Sequence, residues 1–280
     1  MLLKCGDRTL DLARPQVMGV LNVTPDSFFD GGRYGSIAAA VAHAREMVEQ
    51  GAAVIDVGGE STRPGAAPVS EVDELARVVP VIEAIVREFP VVVSIDTSKP
   101  AVMRAAVEAG AGLVNDIYAL RHPDAIATVA ELSVPVCLMH MQGEPHSMQH
   151  SPAYKNVVVE VRDFLQARVA ACKAGGIAAS NILIDPGFGF GKSLSHNLAL
   201  MRELAQLVAL TYPVLVGVSR KSMIGGVLNV PVEQRLAGSL ALASLAVWQG
   251  AKIVRAHDVG ATVEALRMCY AVMDNTFING

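Results

Sequence analysis

Eight short apolar runs, each followed by a longer stretch of helical spacing, predict a closed (β/α)8 barrel of the TIM type for this chain of 280 residues. Composition agrees. Hydrophobic residues make up 52% of the chain and aromatic residues only 5%, so the apolar content is mostly Val, Leu, Ala and Ile. That mixture suits buried parallel strands and the helices that cover them. No repeat, low-complexity stretch or linker interrupts the alternation, so residues 1–280 read as a single domain.

The strand candidates are 17–21, 54–57, 91–95, 113–115, 134–139, 182–184, 214–218 and 253–255, each short and rich in Val, Ile or Leu. Helix candidates lie at 36–50, 71–88, 100–109, 123–132, 155–175, 195–210, 233–249 and 260–274. Gly51, Gly110, Gly175 and Gly250 stand at helix ends, where a left-handed residue terminates the helix. Pro100 opens its helix where a missing N–H costs little. The first dozen residues read as a hairpin or strand closing the barrel floor. A doubly wound open sheet is the structural alternative. It needs a glycine-rich phosphate turn after the first strand, whereas this chain has Asn22-Val23-Thr24-Pro25-Asp26-Ser27. Two nucleotide motifs also fail between Pro186 and Ser193: a Walker A loop would need glycine at Pro186, and GxGxxG would need glycine at Lys192.

With a net charge of −4 and a pI near 6.0, nothing points to a polyanion-binding surface, so nucleic acid is not an expected partner. Cys5, Cys137, Cys172 and Cys269 form no CxxC pair, which argues against structural zinc or a disulfide framework and for thiols in a reducing cytosol. The start of the chain lacks the apolar core of a signal peptide, and no apolar run reaches membrane-spanning length. The expectation is a soluble cytoplasmic protein with no membrane partner.

In such barrels chemistry sits at the carboxyl ends of the strands. The predicted strands end in Asn22, Asp56, Asp96, Asn115-Asp116, His140, Asp185, Ser219-Arg220-Lys221, and Arg255 with His257. Turn chemistry explains some of the Asp and Asn. It does not explain a complete ring that also holds Lys, Arg and His. Asp96, Asn115 and Asp185 suit a flat heterocycle with several N–H donors, because a carboxylate accepts two parallel N–H bonds. Arg255 can lie flat on such a ring, and Lys221 can donate to its carbonyl or nitrogen. Arg63, Arg255 and His257, with Asn22, suit a phosphate-bearing substrate, and the Asn22 oxygen is one that Mg2+ accepts.

Plainer readings stand beside these. Asp96 can simply cap the helix opened by Pro100. His140 reads as a packed rim histidine, and Asp56 as a residue that orients neighbours. Lys192 reads as a solvated loop charge. His43, His122, His146, His150 and His196 read as solvent-facing.

Taken together, residues 18–28, 56–65, 94–97, 115–117, 138–143, 185–192, 219–222 and 255–258 resemble the dihydropteroate synthase family, in family order across nearly the whole chain. The resemblance implies an enzyme of folate biosynthesis that condenses 6-hydroxymethyl-7,8-dihydropterin pyrophosphate with 4-aminobenzoate and releases pyrophosphate. It implies that Asp185 pairs with the amino-pyrimidinone edge of the pterin, that Asp96 and Asn115 meet its other nitrogens, and that Lys221 donates to it while Arg255 stacks. It further implies that Thr62, His257 and Asn22, the last through Mg2+, hold the pyrophosphate, with Lys221, Arg255 and His257 as the catalytic set. Phe28, Arg63, Pro64, Phe190 and Ser219 line the 4-aminobenzoate pocket in that family. Two mobile loops, after the first and second barrel strands, close over its site, and it forms homodimers. The chain departs from the family pattern at Phe29, more often Ser, and at Ala256, usually a larger apolar residue.

The nearest alternative is a barrel methyltransferase that takes a methyl group from a reduced pterin to a corrinoid. It shares the pterin carboxylates and has less use for a pyrophosphate-binding kit. A Schiff-base aldolase using Lys221 and a pterin-binding protein without turnover are the remaining readings, separable by borohydride trapping and by a turnover assay. The fold alone decides among none of them.

Overall fold

Ten short strands and ten helices alternate along the computed structural model, which describes residues 1–23, 32–61, 68–145, 147–149 and 151–274. The strands are β1 (Leu2–Cys5), β2 (Arg8–Asp11), β3 (Gln16–Asn22), β4 (Val54–Gly58), β5 (Val92–Asp96), β6 (Leu113–Asp116), β7 (Val136–Met139), β8 (Ile182–Asp185), β9 (Leu215–Gly217) and β10 (Ile253–Ala256). The helices are α1 (Gly32–Glu49), α2 (Glu71–Glu88), α3 (Pro100–Glu108), α4 (Ala125–Leu132), α5 (Val157–Ala174), α6 (Leu194–Arg202), α7 (Ala205–Val208), α8 (Ser222–Leu228), α9 (Leu236–Trp248) and α10 (Val259–Met273).

Strands β3 to β10 form one parallel sheet in the order β8-β7-β6-β5-β4-β3-β10-β9. A parallel bridge from Ile184 to Val214, with the Ile184 N–H on the Pro213 carbonyl at 3.0 Å, joins its two ends. The sheet is thereby a nearly closed barrel, as predicted.

Helices cover the outside, so the strands are buried on both faces, and β4, β6, β7 and β8 are buried at every position. The inside begins with one residue from each strand: Met18, Val54, Val92, Leu113, Cys137, Leu183, Leu215 and Ile253. The antiparallel β1–β2 hairpin lies beneath them and adds Leu3, Cys5, Leu10 and Leu12 to the same cluster. Each large side chain so buried contributes about 1.5–3 kcal/mol. The hairpin's seat requires glycine at 112, where a Cβ would stand 2.3 Å from the Cys5 carbonyl oxygen.

Three expectations need correction. The helix expected over 195–210 is two, α6 and α7, turned so that Leu204 and Leu207 are both fully buried. The chain enters α8 where no helix was expected, because Gly225 and Gly226 lower the local propensity and packing overrides it. The left-handed glycines ending helices are Gly51, Gly110, Gly250 and Gly176, whereas Gly175 has φ −82°.

Candidate active site

Side chains of a strand alternate between its faces, so the residue two positions beyond each floor residue also points into the barrel. Those positions hold Val20, Asp56, Ser94, Asn115, Met139, Asp185, Gly217 and Arg255. The interior therefore changes within one pleat from a wholly apolar tier to one with two carboxylates, an amide, a hydroxyl and a guanidinium. A cavity at the carboxyl ends of the strands is lined by Asp96, Asn115, Asp185, Phe190, Ser219, Lys221, Arg255 and His257, with Val20, Ile117, Met139 and Gly217 as its apolar wall.

Asp56 is the hub of the polar tier. It is fully buried, and its Oδ2 accepts from Arg255 Nε at 2.6 Å and from Asn115 Nδ2 at 3.0 Å. It stands inside β4, which runs on to Gly58, rather than at the strand's end. Its orienting role is as expected; its two partners, and the lack of any for its buried Oδ1 among the described residues, were not foreseen.

Asp96 does not cap a helix. The Lys99 N–H at the start of α3 goes to Thr97 Oγ1 at 3.3 Å, and Asp96 Oδ2 accepts from Arg255 Nη2 at 2.8 Å. Two carboxylates from neighbouring strands thus hold one guanidinium by its edge. Burial opposes the Arg255 charge, but Asp56 and Asp96 outweigh it and keep its pKa above the ordinary value. Burial pushes the Asp96 carboxyl up to about 7 despite Arg255.

Asp185 ends β8 with Oδ1 accepting the Gly187 N–H at 2.7 Å. Burial raises its pKa, against the pull of Lys221, the Gly187 N–H, Lys192 and Arg255. Burial also brings the Lys221 ammonium down to about 8, with Asp185 opposing. Lys221 donates to the Phe188 carbonyl, and its Nζ stands 4.5 Å from the centroid of the Phe190 ring. Between Ser219 and Lys221, Arg220 adopts a left-handed φ of 55° and forms a two-pronged ion pair with Asp258, by Nε at 2.9 Å and Nη2 at 2.5 Å. That turn allows both of its neighbours to line the cavity. Ser219 Oγ accepts the His257 N–H at 3.2 Å and lies 3.0 Å from His257 Nδ1.

Lys192 is not a solvated charge. It is 3% exposed and hydrogen-bonded to His140, Gly187 and Phe190. His140 is a packed rim residue, edge-on to Phe164 with ring centroids 4.9 Å apart. His43 and His122 are exposed as expected, whereas His196 is half-buried and completes the capping box of α6. Asn22 ends β3, half-buried. Phe28, Phe29, Thr62, Arg63, Pro64, His146 and His150 lie outside the described residues, as do most of the two loops expected to close over the site. Sequence reasoning missed the apolar wall of Val20, Ile117 and Met139. Strict alternation along each strand from the floor tier upward was the signal for Val20 and Met139.

A family model described as pterin binding enzyme matches residues 18–257. The dihydropteroate synthase of Escherichia coli (strain K12) is 54% identical over 265 residues, covering 95% of this chain and 94% of its own length. Among solved structures, a Yersinia pestis dihydropteroate synthase with a sulfonamide drug complex superposes with a TM-score of 0.93 at 53% identity, covering 98% of this chain and 99% of that one. The Xanthomonas albilineans dihydropteroate synthase with 4-aminobenzoic acid gives 0.92 at 51% identity, covering 97% and 98%. These likenesses run the length of the chain and favour the synthase over the corrinoid methyltransferase. The chain belongs to the dihydropteroate synthase family of pterin-binding enzymes, transferases that form a carbon–nitrogen bond in folate biosynthesis.

Proposed function

We propose that the cavity binds 6-hydroxymethyl-7,8-dihydropterin pyrophosphate through its polar tier and presents it to 4-aminobenzoate at the rim. The observation that carries this reading is the meeting of Asp96, Asn115, Asp185 and Lys221, from four segments of the chain, in one cavity. Asp185 accepts from the amino-pyrimidinone edge, Asp96 and Asn115 meet the remaining ring nitrogens, and Lys221 donates to the ring. Arg255, held by its edge, offers its face for stacking. His257 and Thr62 hold the diphosphate. Phe28, Arg63, Pro64, Phe190 and Ser219 form the 4-aminobenzoate pocket. All of this occupies one pterin-binding domain over 1–280.

Among the described residues no cluster of three His, Cys, Asp or Glu side chains could cage a metal. The amide oxygen of Asn22 fits a hard cation that draws its other ligands from substrate phosphate and water, which is the usual habit of Mg2+. When bound, Mg2+ supplies positive charge to the leaving diphosphate.

The reaction breaks the bond from the pterin methylene carbon to the diphosphate oxygen and forms one from that carbon to the amine nitrogen, which then gives up a proton. It proceeds with carbocation character, so no protein nucleophile is needed. Lys221, Arg255 and His257 form the catalytic set, holding the pterin and stabilising charge on the departing group. The amine pocket orients a weak nucleophile and excludes water.

The test is pyrophosphate release on mixing the two substrates. Release that persists in full after exhaustive chelation counts against the Asn22 assignment. Sulfonamides compete with 4-aminobenzoate on this reading, in keeping with the sulfonamide complex of the Yersinia pestis relative.

A homodimer is also proposed. Leu245 and Trp248 on α9 and Met268 and Val272 on α10 leave more than half of their surface exposed, and sedimentation at twice 29.4 kDa is expected. A cytoplasmic location accords with free Cys5, Cys137 and Cys172, all buried, and with the lack, among the described residues, of a helix long and apolar enough to cross a membrane.

A further inference from the structure

The loop after β8 is braced at every backbone carbonyl from Gly187 to Gly191, each by a side chain. Lys192 Nζ donates to Gly187 at 2.8 Å and to Phe190 at 3.0 Å. Lys221 takes the Phe188 carbonyl and Gln149 Nε2 that of Gly189. The Tyr154 hydroxyl donates to Gly191 at 2.8 Å. Backbone carbonyls in loops are usually left to water. Here the whole stretch is held from four positions.

Lys192 holds two of the five carbonyls, more than any other of these side chains. The same Nζ also reaches His140, standing 2.9 Å from its Nδ1 and donating to its carbonyl at 3.3 Å. No carboxylate is among these partners, an uncommon setting for a lysine 3% exposed. Burial accordingly draws the pKa of Lys192 well down, with the nearby Asp185 carboxylate opposing. The loop also sits directly on the His140 backbone. Gly187 has φ +67°, and a Cβ there would stand 1.9 Å from the His140 carbonyl oxygen.

The braced loop presents two parts of the site. Its Phe190 ring lines the cavity and lies under the Lys221 ammonium, and its Phe188 carbonyl accepts from that same ammonium. Neither is fixed by a strand. Asp96, Asn115 and Asp185 are, since each belongs to one.

We infer that Lys192 is a positioning residue for the reaction: it nails down the 187–191 loop so that the Phe190 ring stands where the amine must approach. Lys192 does not line the cavity. The inference rests on the proposed placing of 4-aminobenzoate against Phe190.

Pyrophosphate-release kinetics on the full chain test it, with Lys192→Met keeping the length of the side chain and losing its donors. The amine KM is expected to rise about tenfold, while the dissociation constant for pterin pyrophosphate stays within about threefold because strand-borne groups hold the pterin. Tyr154→Phe removes one half-buried hydroxyl and keeps the ring. It is expected to raise the amine KM by about two- to threefold with kcat unchanged. An unaltered amine KM in a folded Lys192→Met protein, with only the melting temperature lowered, would make the brace purely structural and overturn the inference. Should Lys192→Met fail to fold, an unaltered amine KM in Tyr154→Phe overturns it alone. A wild-type chain that releases no pyrophosphate removes the underlying functional reading first, and the inference with it.

Discussion

The floor and the mouth of the barrel are built by the same eight strands, one pleat apart, with opposite chemistry. At the floor, Leu113 and Leu183 are fully buried in apolar company and sealed by the β1–β2 hairpin. Two residues on along the same strands, Asn115 and Asp185 are almost as deeply buried, yet they line a cavity. Burial therefore separates the two tiers poorly. What separates them is whether a side chain's polar atoms are matched within the protein. The floor has almost none to match. The mouth holds carboxylates kept costly by burial and partly satisfied by cations, a state that a ligand rich in N–H donors relieves.

Four measurements sharpen or break this contrast. Asp56→Ala strips Arg255 and Asn115 of their shared acceptor and leaves a buried guanidinium short of a partner. It is expected to cost about 3–5 kcal/mol of stability and most of the activity, read by chemical denaturation and turnover. A stable, active variant would mean that Asp96 alone can hold Arg255. Leu113→Ala at the floor should cost about 2–5 kcal/mol of stability and leave both KM values as they were well below the melting temperature. A shifted pterin KM would show the tiers to be coupled. Asp185→Asn is the converse: removing a charged acceptor should weaken pterin binding by about 1.5–3 kcal/mol, roughly ten- to a hundred-fold, with the fold intact. Titration calorimetry with the pterin decides it, and unchanged affinity contradicts the assignment.

The smallest effect is on pH. Asp96 must be ionised to accept, and its pKa is raised, so acceptance fades as pH falls through about 7. Lys221 must be protonated to donate, and its pKa is lowered, so donation fades as pH rises through about 8. The profile of kcat/KM for the pterin, which reports the free enzyme, should be a narrow bell between those values. A flat profile from pH 6 to 9, roughly one unit beyond each limb, removes Asp96 and Lys221 from the binding step.

The strands and most of the helices were legible because the buried sheet needs unbroken β-branched runs, and the helices between them carry their own spacing. The polar ring was legible for a related reason: Asp96, Asn115 and Asp185 each stand at the end of an apolar run. Lys192 was not. Its partners are carbonyls, which any residue type supplies, and a histidine 52 positions away in the chain. Nothing in Gly191-Lys192-Ser193 distinguishes a buried ammonium from a wet one. Nor was α8 legible, since paired glycines argue against the helix that packing imposes. Asp56 was legible as an orienting group but not as a hub, because its partners come from β6 and β10.

The bond between Asp56 and Arg255 spans 199 positions of sequence, and that between Asp96 and Arg255 spans 159. During synthesis the two acids leave the ribosome long before their shared cation. Withdrawing either from water before the tenth strand arrives would leave a buried carboxylate without its cation, at a cost on the order of several kcal/mol per ion. The pocket is thus finished only when β10 joins the sheet, and a nascent chain halted before residue 255 would carry an unneutralised pair of acids in place of a binding site.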